Sequence, residues 1–238
     1  MKDRTFVIEA IPEQLQLKQR FFQTLDALCD PSVVLASNTS ALDPTEIAKD
    51  MKHPERMLIT HFWNPAHLIP LVEIVPGDRT GAEAVERASS LMLRMRKKPI
   101  ALARSIPGFI GNRLQYAMLR EAEYLLQHGI AGKEDIDAAV TYSIGRRYAV
   151  TGRLESADMG GLDVFHAVSS HLYPDLAVQR QPLQTMNDLV EKGHYGIKSG
   201  KGFYEWSESR ANHIRQSRED FLIQRLLEDR LAEHRQDE

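Results

Sequence analysis

Apolar and polar positions divide this chain into two unlike parts. Short apolar runs alternate with segments of helical period up to about residue 105. Phe6-Val7-Ile8, Val33-Val34-Leu35-Ala36, Met57–Phe62, Leu71–Val75 and Ile100-Ala101-Leu102 read as strands, and Ala10-Ile11-Pro12 as the loop leaving the first. Leu17, Phe21, Leu25 and Leu28 recur at helical spacing and predict one buried stripe. Asp43, Pro44 and Glu46 predict a helix start: a capping side chain, proline in the first position and an acid two residues on. A helix over about 82–95 places Val85, Ala88, Leu91 and Met95 on one face. After Pro107-Gly108 the strands stop. A long helix is expected from Ile110 to His128, ended by Gly129, with further helical segments at 133–140, 162–172 and 182–192. The pattern predicts an α/β domain followed by an all-α one, with the boundary near Ser105–Gly108.

Composition narrows the function classes. A chain of 238 residues with 42% hydrophobic and 26% charged residues is ordinary for a globular protein with a sizeable core. A net charge of -3 gives no electrostatic case for nucleic acid or an anionic membrane surface. No apolar run approaches the roughly 18 residues that a spanning helix needs, and the start shows no signal-peptide pattern. Cys29 is the single cysteine, which excludes an internal disulfide and points to a reducing compartment, the cytoplasm. The charged tail, 207–238, carries Phe221, Ile223, Leu227 and Leu231 as a thin apolar stripe. It is expected to be a surface helix packed on its own domain or on a dimer mate.

Candidate chemistry gathers in Thr60–Glu73, THFWNPAHLIPLVE. His61 ends one apolar run, Glu73 interrupts the next, and Asn64-Pro65 marks the bend between them. If the two runs are neighbouring strands, the carboxylate can orient the imidazole as a general base requires. A lone carboxylate in a core strand is costly unless paired; the pattern also leaves open that Glu73 points outward from an edge strand. Ser37-Asn38-Thr39-Ser40 follows a strand directly, at the end of a sheet where ligands gather. An ordinary polar loop remains the alternative there. Asn112 falls in the first turn of the long helix, either beside a ligand or as a plain helix-start residue. No HExxH or cysteine-histidine cluster suggests a metal.

Several separated motifs, in order, resemble the L-3-hydroxyacyl-CoA dehydrogenase family. They are VIEAIPEQLQLKQ, SNTS, HFWNPAHLIPLVEIV, PGFIGNR, ADMGGLD (Ala157–Asp163) and GIKSGKGFYEW, and the likeness runs from about Phe6 to Trp206. The resemblance implies a partial Rossmann-like NAD-binding domain at 1–105, an all-α dimerisation domain at 106–206 and the tail beyond. It implies His61 as catalytic base, Glu73 as its orienting carboxylate, and Ser40 and Asn112 as binders of the reacting hydroxyl and carbonyl. Glu13, Lys18, Ser40, Asn64 and Lys198 match positions at the nicotinamide cofactor. The implied reaction is hydride transfer between an L-3-hydroxyacyl substrate and NAD, in a homodimer.

The chain also departs from that family. Its full-length members begin with a βαβ unit bearing G-x-G-x-x-G, and no such spacing occurs in these 238 residues. The chain is therefore read as an N-terminally truncated member that binds NAD poorly and exposes sheet edge and apolar surface. Trp63 stands where the acyl-CoA enzymes commonly have phenylalanine, and Ala66-His67-Leu68-Ile69-Pro70 is closer to relatives acting on gulonate or carnitine. A dehydrogenase of a small free hydroxy acid is thus an alternative. A further one is an inactive remnant serving as a dimerisation or binding module.

Overall fold

The computed structural model describes residues 4–236. The chain forms two compact units, one running up to Arg113 and including the segment from Arg215 onward, the other Leu114–Ile214. The first unit holds a five-stranded sheet in the order β1 (Phe6–Glu9), β2 (Val34–Ser37), β3 (Met57–Phe62), β4 (Leu71–Pro76) and β5 (Lys98–Ala101). β1, β2 and β3 are parallel, β4 runs antiparallel to β3, and β5 is parallel to β4. The β3–β4 reversal needs no crossover helix, so the loop between them brings two chemistry-bearing strands side by side.

Helices cover both faces of this sheet. α1 (Leu15–Leu28) and α2 (Pro44–Ile47) cover one face, where Phe22, Leu25, Val33, Leu35, Ile47 and Met57 form a buried cluster. On the other, α3 (Ala82–Arg94) sets Ala84, Ala88 and Met92 against Val34, Leu58, Val72 and Ile74. Asp43 caps α2 by accepting from the Thr45 amide at 2.7 Å, as its sequence predicts. The expected stripe on α1 is corrected by the structure. Phe21 and Leu28 are exposed, and the buried face is Lys18, Phe22, Leu25 and Asp26. Both charged residues are buried because each has a distant partner: Lys18 donates to Glu9 at 2.6 Å, and Asp26 accepts from Arg56 at 2.7 Å.

The second unit is helical. α4 (Gly111–Gln127) leads into it and ends at Gly129, whose φ of 65° is the left-handed conformation expected of a C-terminal glycine. α5 (Lys133–Ala139) passes through a π-helical turn, Val140–Ile144, into α6 (Gly145–Tyr148). α7 (Arg153–Gly160), which the pattern did not predict, is followed by α8 (Leu162–Leu172) and α9 (Gln184–Glu191). α10 (Glu208–Gln236), the long charged helix of the tail, starts in this unit and from Arg215 onward belongs to the first. No helix among the described residues is long and apolar enough to cross a membrane.

Candidate active site

β3 and β4 pair in antiparallel register with His61 directly opposite Glu73. Side chains alternate between faces along a strand, so His61 and Glu73 share a face with Ile59 and Val75. Phe109 and Leu102 pack on that face. Glu73 lies on an interior strand and is fully buried, which removes the reading that it points outward from an edge.

Four N–H groups converge on the Glu73 carboxylate. Oε2 is 2.8 Å from His61 Nδ1 and accepts from Trp63 Nε1 at 3.2 Å. Oε1 accepts from the amides of Ile110 and Gly111 at 2.9 and 3.0 Å. Those amides open α4, so the carboxylate also sits at the positive end of a helix dipole. Positive φ at Gly108 (77°) and Phe109 (52°) turns the chain so that both N–H groups face it. Burial pushes the Glu73 carboxyl upward; the His61 ring and the two amides outweigh that and hold it below the ordinary value of 4.5. An ionised carboxylate only accepts, so Nδ1 carries a proton and, in the neutral ring, Nε2 is left as the acceptor. Nε2 lies 3.2 Å from Ser40 Oγ.

The loop after β2 positions Ser40. The Asn38 side chain accepts from the Phe62 amide at 2.9 Å, tying the loop to the end of β3. Glu13 accepts from the Ser40 amide at 3.1 Å and from the Thr39 hydroxyl. Asn112 donates from Nδ2 to the Ser40 carbonyl at 3.3 Å. His61, Glu73, Ser40, Asn112 and Glu13 are thus brought together. The rings of Trp63 and Phe109 flank the imidazole, with centroids 5.5 and 5.4 Å away.

Three other candidates have surroundings of their own. Asn64 is exposed, preceding a cis bond to Pro65 just beyond β3. Lys18 is buried behind Glu13, at 3.6 Å, with its ammonium donating to Glu9 and to the Ile11 carbonyl. Lys198 belongs to the other compact unit, where it lines an apolar cavity of about 770 Å³ with Leu126, Ile136, Phe203 and Trp206.

Sequence reasoning missed the two backbone donors, the Phe109 packing and the indole bond. The Pro107-Gly108 turn opening a helix was the available signal for the amides; nothing in the pattern shows where an indole N–H points.

The polar groups around Ser40 test the fit of a nicotinamide cofactor. Hydroxyl, carboxylate and carboxamide groups suit the nicotinamide and ribose end. At this end Lys18 is committed to protein partners, and no glycine-rich phosphate turn occurs in the 238 residues.

Comparison with known proteins places the chain. Residues 1–105 match the family described as "3-hydroxyacyl-CoA dehydrogenase, NAD binding domain", and residues 108–206 the one described as "3-hydroxyacyl-CoA dehydrogenase, C-terminal domain". The 5-formyl-3-hydroxy-2-methylpyridine 4-carboxylate 5-dehydrogenase of Mesorhizobium japonicum is 33% identical over 226 residues, 94% of this chain and 73% of the relative. The 3-hydroxyadipyl-CoA dehydrogenase of Escherichia coli is 39% identical over 206 residues, and L-carnitine dehydrogenase of Oceanobacillus iheyensis 36% over 161. This chain covers 86% and 68% of itself in those two alignments and spans only 42% and 52% of the relatives' lengths. Among solved structures, a 5-formyl-3-hydroxy-2-methylpyridine 4-carboxylic acid 5-dehydrogenase, described as an NAD+ dependent dismutase, superposes with a TM-score of 0.91 at 32% identity. That match covers 95% of this chain and 74% of the other. The 3-hydroxybutyryl-CoA dehydrogenase of E. coli gives 0.67 at 39% identity, covering 85% and 42%. With both parts matched, and a sheet-then-helices fold to go with them, the chain belongs to the 3-hydroxyacyl-CoA dehydrogenase family, oxidoreductases that use NAD.

Proposed function

We propose that the chain carries the proton-transfer machinery of a dehydrogenase acting on an L-3-hydroxyacyl substrate, with His61 as the base. The observation that supports this best is the buried His61–Glu73 pair at 2.8 Å, with the second ring nitrogen turned to Ser40. NAD, when bound, accepts the hydride released from the alcohol carbon. His61 Nε2 takes the hydroxyl proton, and Glu73 stabilises the imidazolium that forms. In the reverse direction the imidazolium returns that proton to the carbonyl oxygen. Ser40 Oγ is within reach to hydrogen-bond the same oxygen, and Asn112 braces the Ser40 backbone. Glu13 and Asn64 would meet the nicotinamide end of the cofactor. Lys18 would act there through Glu13; Lys198 is kept as a cofactor candidate on the family resemblance.

The test is His61→Ala. Loss of a positioned acid-base group lowers kcat by about 10²–10⁴, with an unchanged circular dichroism spectrum showing that the fold is kept. An unchanged kcat would remove His61 from the mechanism.

A second reading, a small free hydroxy acid as substrate, is favoured by the 36% identity to L-carnitine dehydrogenase over 161 residues. The match at a TM-score of 0.91 is likewise to a dehydrogenase named for a free carboxylate, though one bearing a formyl group. Turnover of carnitine or gulonate with none of 3-hydroxybutyryl-CoA would select it. We further propose a homodimer, formed through apolar helix faces of the C-terminal unit. A reducing compartment, the cytoplasm, suits the buried thiol of Cys29.

A further inference from the structure

Glu73 Oε2 has two ring donors. His61 Nδ1 lies 2.8 Å from it, and the Trp63 indole N–H reaches the same atom at 3.2 Å. We infer that Trp63 is a positioning residue that sets the proton affinity of His61 by sharing this carboxylate oxygen. The inference rests on the proposed role of the His61–Glu73 pair.

The physical argument concerns how one oxygen's charge is divided. Each N–H that bonds a carboxylate oxygen draws on the charge available to the others. With the indole in place, the imidazolium is held less strongly than by an oxygen serving it alone. Nε2 is then a weaker base in one direction and a stronger acid in the other. A phenyl ring in the same place fills similar space and donates nothing.

The seating of the indole is built in. A Cβ on Gly111 would come within 2.1 Å of Trp63 Cζ2, so the ring lies flush against the start of α4 only because residue 111 has no side chain. That contact fixes the ring where its N–H faces Glu73. The groups facing the imidazole are few. β4 supplies Glu73, the loop after β2 supplies the Ser40 hydroxyl, β3 itself leads to Trp63, and the turn before α4 supplies Phe109. Among the described residues, Glu73 is the charged group hydrogen-bonded to the ring.

The test is nuclear magnetic resonance on the whole chain, labelled with ¹⁵N in its histidines and tryptophans. His61 is assigned among nine histidines by loss of its signals in His61→Ala. Trp63 is assigned between two tryptophans by Trp63→Phe. The His61 titration midpoint is expected to rise by about half a unit in Trp63→Phe, roughly a threefold gain in proton affinity. In the unsubstituted chain, the Trp63 indole N–H signal is expected to move with the same midpoint. This second measurement needs no variant to fold. An identical His61 midpoint in a folded Trp63→Phe protein would overturn the inference, as would an indole signal indifferent to His61 protonation. Neither readout uses turnover. A failure here therefore leaves the assignment of His61 as base standing, and an active His61→Ala enzyme would leave the titration result standing.

Discussion

The carboxylate of Glu73 is held from four directions, and its charge state decides which nitrogen of His61 is basic. Glu73→Gln keeps the size but reverses one end of the group. The amide oxygen can still accept from Ile110 and Gly111, which leaves the NH₂ facing His61 Nδ1 and the indole N–H. The imidazole is then driven to the tautomer protonated on Nε2, which cannot accept the alcohol proton. A fall in kcat of about 10³-fold or more is expected at constant fold, read from steady-state rates alongside circular dichroism. The pH dependence has a definite sign. A carboxyl held below 4.5 when folded stabilises fully above 4.5, and that contribution is lost as pH falls through the lowered value. Melting temperature should therefore decline below about pH 4.5, and part of this slope should be missing in Glu73→Gln.

At the level of elements, what was legible followed from local pattern. β3 begins and ends where its apolar run does, and α8 fills the predicted segment Leu162–Leu172, because period and punctuation agreed there. The buried face of α1 was misread for a reason outside the helix. Lys18 is made compatible with the core by a carboxylate nine positions earlier, and Asp26 by an arginine thirty positions later. No local window contains both partners. α7 was missed because Arg153–Gly160 has no consistent apolar face and ends in a glycine followed by another, Gly161. The His61–Glu73 contact could be anticipated because a charged residue in an apolar strand demands a partner, whereas the indole bond depended on a ring orientation. The Arg56 guanidinium binds Asp26 and the carbonyls of Asp26, Cys29, Asp30 and Val33, pinning the end of α1 to the start of β2. Both members are buried, so Arg56→Met strands a charge and should cost about 3–5 kcal/mol. Urea unfolding measures this; a loss under about 1 kcal/mol would show the pair to be no more than a surface-type bridge.

For the molecule as a whole, the C-terminal unit presents large apolar side chains to solvent. Leu154, Met159 and Leu162 on α7 and α8 are 82%, 78% and 61% exposed, and Val164 and Val168 add to them. Surfaces of this kind mark association. Light scattering is expected to give twice the 27.0 kDa chain mass, and replacing Leu162 and Val168 with charged residues should return the monomer. A concentration-independent monomer in the parent protein would count against the homodimer. The sheet carries a different tendency. Along Phe6–Glu9 the amides and carbonyls facing away from β2 meet no strand among the described residues, and Ile8 is 40% exposed beside them. That rim is a seat where one more extended segment, from the same polypeptide or another, could join the sheet through main-chain bonding.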